Sequence, residues 1–288
     1  MPVPVAIVER VCAVDGPAGA RMQRSRGRAR IGYRREGGAT HLTEFIQEGC
    51  CKLRLPRVEP GLPPDVVLLN TAGGITGGDE LTYEAVLGEG VSATLTTQAA
   101  ERVYRRSNGS VPARLVNRLS VGAGGHVDWL PQETILFDRS AISRSLEIDL
   151  AADATALMLE AYVFGRSASG EAVRMLTLFD RWRVRRGGRL LYADGIAIDG
   201  DAQTLLGRGA TAGGAVAVAS LVAIGGGRDR LDVVRERLGD SEGEAAASAF
   251  GEVLTVRFVA SSGKALRRDV ENVIVALRGR PMPRVWAC

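Results

Sequence analysis

Apolar and polar residues alternate with a period of two through most of the first two hundred positions. In "LTYEAVLGEG", Leu81, Tyr83, Ala85 and Leu87 fall on one face and Thr82, Glu84 and Val86 on the other. "VSATLTT" sets Val91, Ala93 and Leu95 against Ser92, Thr94 and Thr96, and "VPARLVNRLSV" repeats the pattern from Val111 to Val121. The same rhythm continues in "HVDWLPQETILF", "SRSLEIDLAADATALMLEAYVFG", "RWRVRRGGRLLYADGIAID" and "EVLTVRFVAS". Gly, Asp and Asn interrupt these runs about every 8–12 residues, the spacing of short strands joined by tight turns. The clearest turns are "GEG" at 88–90, "GAGG" at 122–125, "RGG" at 186–188 and "DGD" at 199–201. This pattern predicts a mainly β chain, with many antiparallel strands in a β-helix-like or layered-sheet stack and a few flanking helices.

Helical spacing is clearest in "SSGKALRRDVENVIVALRGRP", where Leu266, Val270, Val273, Ile274 and Leu277 share a face. A serine can cap that segment and Gly279 with Pro281 can end it, which predicts a C-terminal helix over about 262–279. "SGEAVRMLTLFDR" (169–181) and "DRLDVVRERLGDSEGEAAASAFGEVL" are weaker helix candidates. "AVAVASLVAI" is expected as an exposed apolar strand that needs a partner. No fixed-length repeat and no Pro/Ser-rich linker divides the chain, so 1–288 is expected to form one continuous domain, with 1–60 as its variable N-terminal part.

Composition narrows the function classes. The 288 residues are 45% apolar and 24% charged, with a net charge of +4. Lys52 and Lys264 are the only lysines, and arginines cluster at 21–35 and 181–189. Neither cluster is interleaved with enough aromatics for base stacking. A solvated basic face, or a surface facing an acidic protein, is expected rather than nucleic-acid binding. The N-terminus has no secretory pattern, and no apolar run matches the roughly 18–20 residues of a membrane span. Cys12, Cys50, Cys51 and Cys288 lack the spacing of a disulfide framework. The expectation is a cytoplasmic, soluble protein with no membrane partner.

Candidate chemistry centres on "LLNTAGGITGGDELTYE". Four glycines within six positions let a backbone come close to something. A phosphate loop needs a lysine and a following helix, whereas Asp79 and Glu80 here lead into a strand. A glycine-rich turn or bulge accounts for the glycines, but not for carboxylates beside bare backbone, which can steer a cation. His41 and His126 are the only histidines, and no CxxC occurs, so a tight zinc or nickel site is not expected. No serine sits in a nucleophile elbow, "FGRSASGE" included. "TTQAAERVYRRSNG" carries Glu101, Tyr104, Arg105 and Arg106, which fit either a solvated edge or a partner surface. In "HVDWLPQETILFDRS", Trp129, Glu133 and Phe137 share parity on an extended segment. Glu133 would then lie on an apolar face, where a carboxylate needs a partner or a function.

Taken together, "NTAGGITGGDEL", "TTQAAERVYRRSNG", "WLPQETILFDRS", "FGRSASGE" and "MPRVWAC" resemble, in order, the urease accessory protein UreD family, called UreH in some organisms. "GRARIGYRREGGATHLTEFIQEGCCKLRLPR" looks like its opening strands. Two motifs depart from the family pattern: Ser169 stands where methionine is common, and the last motif reads Met282-Pro283-Arg284-Val285-Trp286. The resemblance implies a non-catalytic maturation factor that binds the urease apoenzyme and a UreF partner, which recruits the GTPase UreG. It implies an assembly that carbamylates the active-site lysine of urease and inserts nickel, with no tightly bound cofactor and nickel only in transit through an internal passage. On that likeness, passage-lining roles are expected for Asp79, Glu80, Thr97, Glu101 and Glu133. Partner-binding roles are expected for Tyr104, Arg105, Arg106 and Trp286. The other readings are a pure interaction module without nickel conduction, and an unrelated β-rich enzyme, which would show turnover in isolation.

Overall fold

The computed structural model describes residues 23–165 and 172–287. The first strands are β1 (Arg26–Glu36), β2 (Ala39–Gly49), β3 (Cys51–Arg54), β4 (Asp65–Asn70), β5 (Glu80–Leu87), β6 (Ser92–Thr97) and β7 (Glu101–Val103). They are followed by β8 (Ala113–Val121), β9 (His126–Leu130), β10 (Thr134–Leu136), β11 (Ala141–Leu150), β12 (Thr155–Phe164), β13 (Met175–Arg186) and β14 (Arg189–Asp201). The remaining elements are α1 (Ala202–Gly207), β15 (Ala217–Ile224), α2 (Leu231–Leu238), β16 (Glu244–Phe250), β17 (Val253–Ala260) and α3 (Gly263–Arg278).

The strands form two facing sheets. One runs β14-β13-β11-β8-β5-β1-β2 and the other β16-β17-β15-β12-β9-β6-β4-β3. The expected mainly β stack with flanking helices is present, but its centre is parallel rather than antiparallel. Strands β1, β5, β8, β11 and β13 all pair in parallel, as do β4, β6, β9 and β12. Alternation with a period of two is the same for either strand direction; the connections decide. Here "GEG" and "GAGG" join strands of opposite sheets, so the chain coils and re-enters each sheet in the same sense, whereas "RGG" closes the antiparallel hairpin β13–β14. The corner "GAGG" stacks on "GEG" through Gly122 N–H to Leu87 C=O at 2.7 Å. A Cβ on Gly122 would lie 2.7 Å from the Gly88 carbonyl carbon, which restricts that rung to glycine.

Leu81, Tyr83, Ala85 and Leu87 point into the core between the sheets, as their parity requires. The outward positions carry an alternating charge row. Glu84, Arg118, Glu147 and Arg183 are in-register neighbours across β5, β8, β11 and β13, and Arg118 faces Glu84 at 3.7 Å and Glu147 at 3.5 Å. Part of both arginine clusters is thus a solvated sheet face. A second apolar layer lies between the other sheet and the helices α2 and α3, and both faces of β12 and β15 are buried. "AVAVASLVAI" is therefore an interior strand and not an exposed one. The α3 bounds match the capping pattern: Ser262 accepts from Ala265 N–H, and Gly279 closes the end at φ 62°.

Two local expectations fail, and a third holds only in its first part, where α2 is the short helix expected in "DRLDVVRERLGDSEGEAAASAFGEVL". Residues 175–181 continue β13 and are not helical, because Leu176, Leu178 and Trp182 share one buried face at a period of two. The segment after α2 turns into β16, whose alanines alternate between half-buried and exposed positions. "DGD" ends a strand, and Asp201 caps α1 by accepting from Thr204 N–H. No helix among the described residues is long and apolar enough to cross a membrane.

The C-terminal end of α3 is clamped to the sheet by Asp128. Its carboxylate accepts from Arg278 Nε at 2.9 Å, Arg280 Nη2 at 2.8 Å and Thr94 Oγ1 at 3.1 Å, and it contacts His126 Nε2 at 2.9 Å. Burial pushes the Asp128 carboxyl up, but His126 and the two arginines outweigh it and hold the group well below the usual carboxylate range. A depressed folded value contributes stability above the unfolded value and loses it as pH falls. Asp128→Asn should therefore cost about 3 kcal/mol or more at neutral pH, measured by urea unfolding. The gap from the parent should narrow below about pH 4, and a gap constant from pH 7 to pH 3 would contradict the clamp.

Candidate functional site

The sequence motifs fall at one corner of the coil on successive turns. "NTAGGITGG" links β4 to β5, "TTQAAERVYRRSNG" links β6 to β8, and "WLPQETILFDRS" links β9 to β11. They stack by backbone hydrogen bonds: Ile75 N–H to Arg102 C=O at 2.7 Å, Glu101 N–H to Glu133 C=O at 2.9 Å, and Gly165 N–H to Leu136 C=O at 2.8 Å. Strands β7 and β10 form a short third face there, in parallel with the end of β12. "FGRSASGE" begins the next turn of this corner at Phe164, but 166–171 lie outside the described residues.

Asp79 is the keystone of the glycine loop. It is 3% exposed. One oxygen accepts from Ser25 N–H and the other from Thr76 N–H, both at 2.8 Å. Its carboxylate is thus fully engaged by backbone donors. Gly74, at φ +146°, would place a Cβ 2.3 Å from the Tyr104 ring, so the glycine lets that ring close over the loop. The Tyr104 hydroxyl donates to Gly73 C=O at 3.4 Å, and its ring meets Phe137 with centroids 5.0 Å apart.

Beneath the loop lies a cavity of about 350 Å³. Asn70, Thr97, Gln98, Glu101 and Arg102 line its more exposed part; Asn117, Trp129, Gln132, Thr134 and Arg144 line it with buried side chains. Among the described residues Glu101 is its only carboxylate. Its side chain accepts from Asn70 Nδ2 at 3.2 Å and from Arg102 N–H at 3.0 Å. Burial pushes the Glu101 carboxyl up, against those two hydrogen bonds and the charge of Arg144. Thr97 Oγ1 donates to Ala99 C=O and accepts from Gln132 N–H, both at 2.9 Å.

Arg144 closes the inner end. Its guanidinium pairs with Glu160 at 2.5 Å and donates to Thr134 Oγ1 at 3.2 Å. Glu160 also accepts from Trp129 Nε1 at 2.8 Å. Asp180 is the strand neighbour of Arg144 on β13, and it accepts from the Tyr162 hydroxyl at 2.7 Å and Trp182 Nε1 at 3.0 Å. Burial pushes both carboxyls up against the charge of Arg144, and the charge of Asp180 adds to the rise of Glu160, which reaches about 8.

The other expected residues lie apart from the cavity. Glu80 is exposed and faces Arg26 at 3.6 Å. Glu133 turns away from the cavity and takes both Nε (2.8 Å) and Nη2 (2.6 Å) of Arg267 on α3. The parity expected from one long strand fails because the strand breaks at Pro131–Glu133, yet the partner demanded by a buried carboxylate is present. Trp286 is 5% exposed, stacks under Arg267 at 5.1 Å and donates to Thr96 Oγ1 at 3.0 Å, so its ring is packed inside the chain. Arg105 and Arg106 lie at the surface end of the corner beside Tyr104, where Arg106 N–H bonds Arg139 C=O at 3.0 Å. Among the described residues no three His, Cys, Asp or Glu side chains converge.

Sequence reasoning missed Asn117, Arg144, Glu160 and Asp180. The parity logic that picked out Glu133 also applies to them: Arg144 falls between Ile142 and Leu146, and Asp180 between Leu178 and Trp182. Asp79→Ala leaves Ser25 and Thr76 N–H without acceptors, so it should lower unfolding free energy by about 2–4 kcal/mol in urea titration. A loss within about 0.5 kcal/mol would show that the loop does not depend on the cap.

The sequence profile of the family described as UreD urease accessory protein matches residues 25–287. The chain is 44% identical over 281 residues to a protein of Sinorhizobium medicae (strain WSM419) named urease accessory protein UreD, covering 95% of this chain and 99% of that one. A protein of the same name from Cereibacter sphaeroides (strain ATCC 17025 / ATH 2.4.3) is 45% identical over 266 residues, covering 92% and 96%. Another, from Xanthobacter autotrophicus (strain ATCC BAA-1158 / Py2), is 45% identical over 266 residues, covering 92% and 91%.

Proposed function

The chain belongs to the UreD family of urease accessory proteins, and from that membership we propose that it serves urease maturation as a non-catalytic scaffold in the cytoplasm. In this reading it holds the urease apoenzyme together with a UreF–UreG complex and helps nickel in transit towards the urease active site along the corner cavity. Glu101 carries the reading. Among the described residues it is the one carboxylate lining a cavity whose other outer polar side chains are Asn70, Thr97, Gln98 and the guanidinium of Arg102, which lies beside it. Oxygen ligands suit a divalent ion, and a single carboxylate holds it weakly enough to let it leave. Burial makes ionised Glu101 costly, and a cation beside it offsets that cost. Asp79 and Glu133 act in this scheme as supports, one holding the loop and the other anchoring α3.

Glu101→Gln keeps the shape of the side chain. It should leave the fold and the complex with urease and UreF intact, while urease matured with it carries several-fold less nickel by metal analysis. Full nickel loading with an intact complex would remove Glu101 from the route.

A docking role has its own observation. Tyr104 is 38% exposed, and the exposed Val111 and Met175 lie close by with Arg105, Arg106 and Arg139. Tyrosine and arginine around apolar groups suit an acidic partner surface. Arg105→Glu with Arg106→Glu should abolish co-purification of UreF or urease without changing the thermal midpoint. Unchanged co-purification would move the interface elsewhere.

A further inference from the structure

Two N–H groups at the inner end of the corner cavity have no protein partner among the described residues: Nδ2 of Asn117 and Nε of Arg144. Asn117 is 1% exposed and Arg144 5%, and both side chains line the cavity. Asn117 lies on β8 opposite Leu146, and Arg144 lies on β11 opposite Leu115, so the two occupy a diagonal on neighbouring parallel strands and face the same interior. Thr134 lines the same end, and its hydroxyl already accepts from Arg144 Nη1, so it has a proton of its own to donate. Buried donors are ordinarily paired. Here several lie unpaired or available on one cavity wall, one of them on a full positive charge.

We infer that this end of the cavity is a binding site for a small planar monoanion of the formate, nitrate and bicarbonate class, with its oxygens accepting from Asn117 Nδ2, Arg144 Nε and the Thr134 hydroxyl. A trigonal oxyanion can present two oxygens to donors on adjacent strands, and the guanidinium adds charge to the hydrogen bonds. Selection against dianions follows from the surroundings. Glu101 lines the same cavity, and Glu160 and Asp180 lie around Arg144, so a second negative charge would meet three carboxyl groups. This inference does not rest on nickel transit.

The test uses the full chain and its thermal midpoint, titrated with sodium formate, nitrate or bicarbonate at constant ionic strength against sodium chloride. Binding to the folded state raises the midpoint saturably. At least one of the three should do so at millimolar concentration, with chloride and sulfate inert, and the ranking identifies the preferred anion. Line broadening of 13C-labelled formate and bicarbonate gives an independent readout on the unaltered protein. Asn117→Leu, similar in volume but without a donor, should weaken binding about tenfold or more. Asn117→Asp should abolish it by placing a carboxylate at the site. No response beyond chloride would mean that water alone meets these donors. An equal response to sulfate, or undiminished binding by Asn117→Leu, would equally overturn the inference. Where a variant fails to fold, the anion series on the unaltered protein decides.

Discussion

Arg144 puts a full positive charge between two sheets that otherwise meet through leucine, isoleucine and tryptophan, and much of the interior is arranged around it. From β11 in one sheet the guanidinium reaches Glu160 on β12 in the other, while Trp129 on β9 shares the same carboxylate. Asp180 on β13 then takes Tyr162 back across from β12. A buried charge with one partner removed is far more costly than one never buried. A slip of one residue in any of these strands would turn a charged group to the wrong face. The network therefore constrains register in the middle of a parallel stack, where hairpin turns cannot.

This constraint also accounts for what could be read from the chain and what could not. Inward and outward positions were legible strand by strand, because burial of one face needs only alternation. Leu81, Tyr83, Ala85 and Leu87 illustrate it, and so does the capped helix α3, whose Ser262 and Gly279 do local work. Strand direction was not legible. "GEG" and "GAGG" look like hairpin turns, yet each carries the chain from one sheet to the other, and only the stacking of Gly122 on Gly88 distinguishes the two uses. Residues 175–181 show the same limit: a short apolar run fits helix or strand until its neighbour β11 is present to pair with it.

At the candidate site the glycine loop, Thr97 and Glu101 were grouped only through the family resemblance; that their motifs share one corner of successive turns emerges from the stacking of the strands. Nor were the acids told apart. Asp79, Glu101 and Glu133 look alike in sequence, each a carboxylate among small or apolar residues. Their partners separate them: two backbone amides for Asp79, the Arg267 fork for Glu133, and for Glu101 an amide side chain, one backbone N–H and an open cavity. Thr76 and Arg102 are local partners, but Ser25, Asn70 and Arg267 are distant in the chain, and no local pattern encodes their contacts.

The cavity is electrically asymmetric, and that limits what can move through it. A cation entering from the loop side meets Glu101, with amide and hydroxyl groups and the solvent-facing Arg102 around it, then faces the guanidinium of Arg144 in a low-dielectric interior. Coulomb repulsion there is several times stronger than in water at the same separation. Since Arg144 is held by Glu160 and Thr134, it cannot swing aside without breaking the network that sets the register of the sheets. In the proposed role, a divalent ion in transit keeps to the outer part of the corner, where the three stacked motifs present their backbone. An anion has the opposite preference and settles deeper, against the donors of Asn117 and Arg144. In that proposal cation and anion preferences are separated along one cavity by Arg144, whose first role is to hold the sheets together.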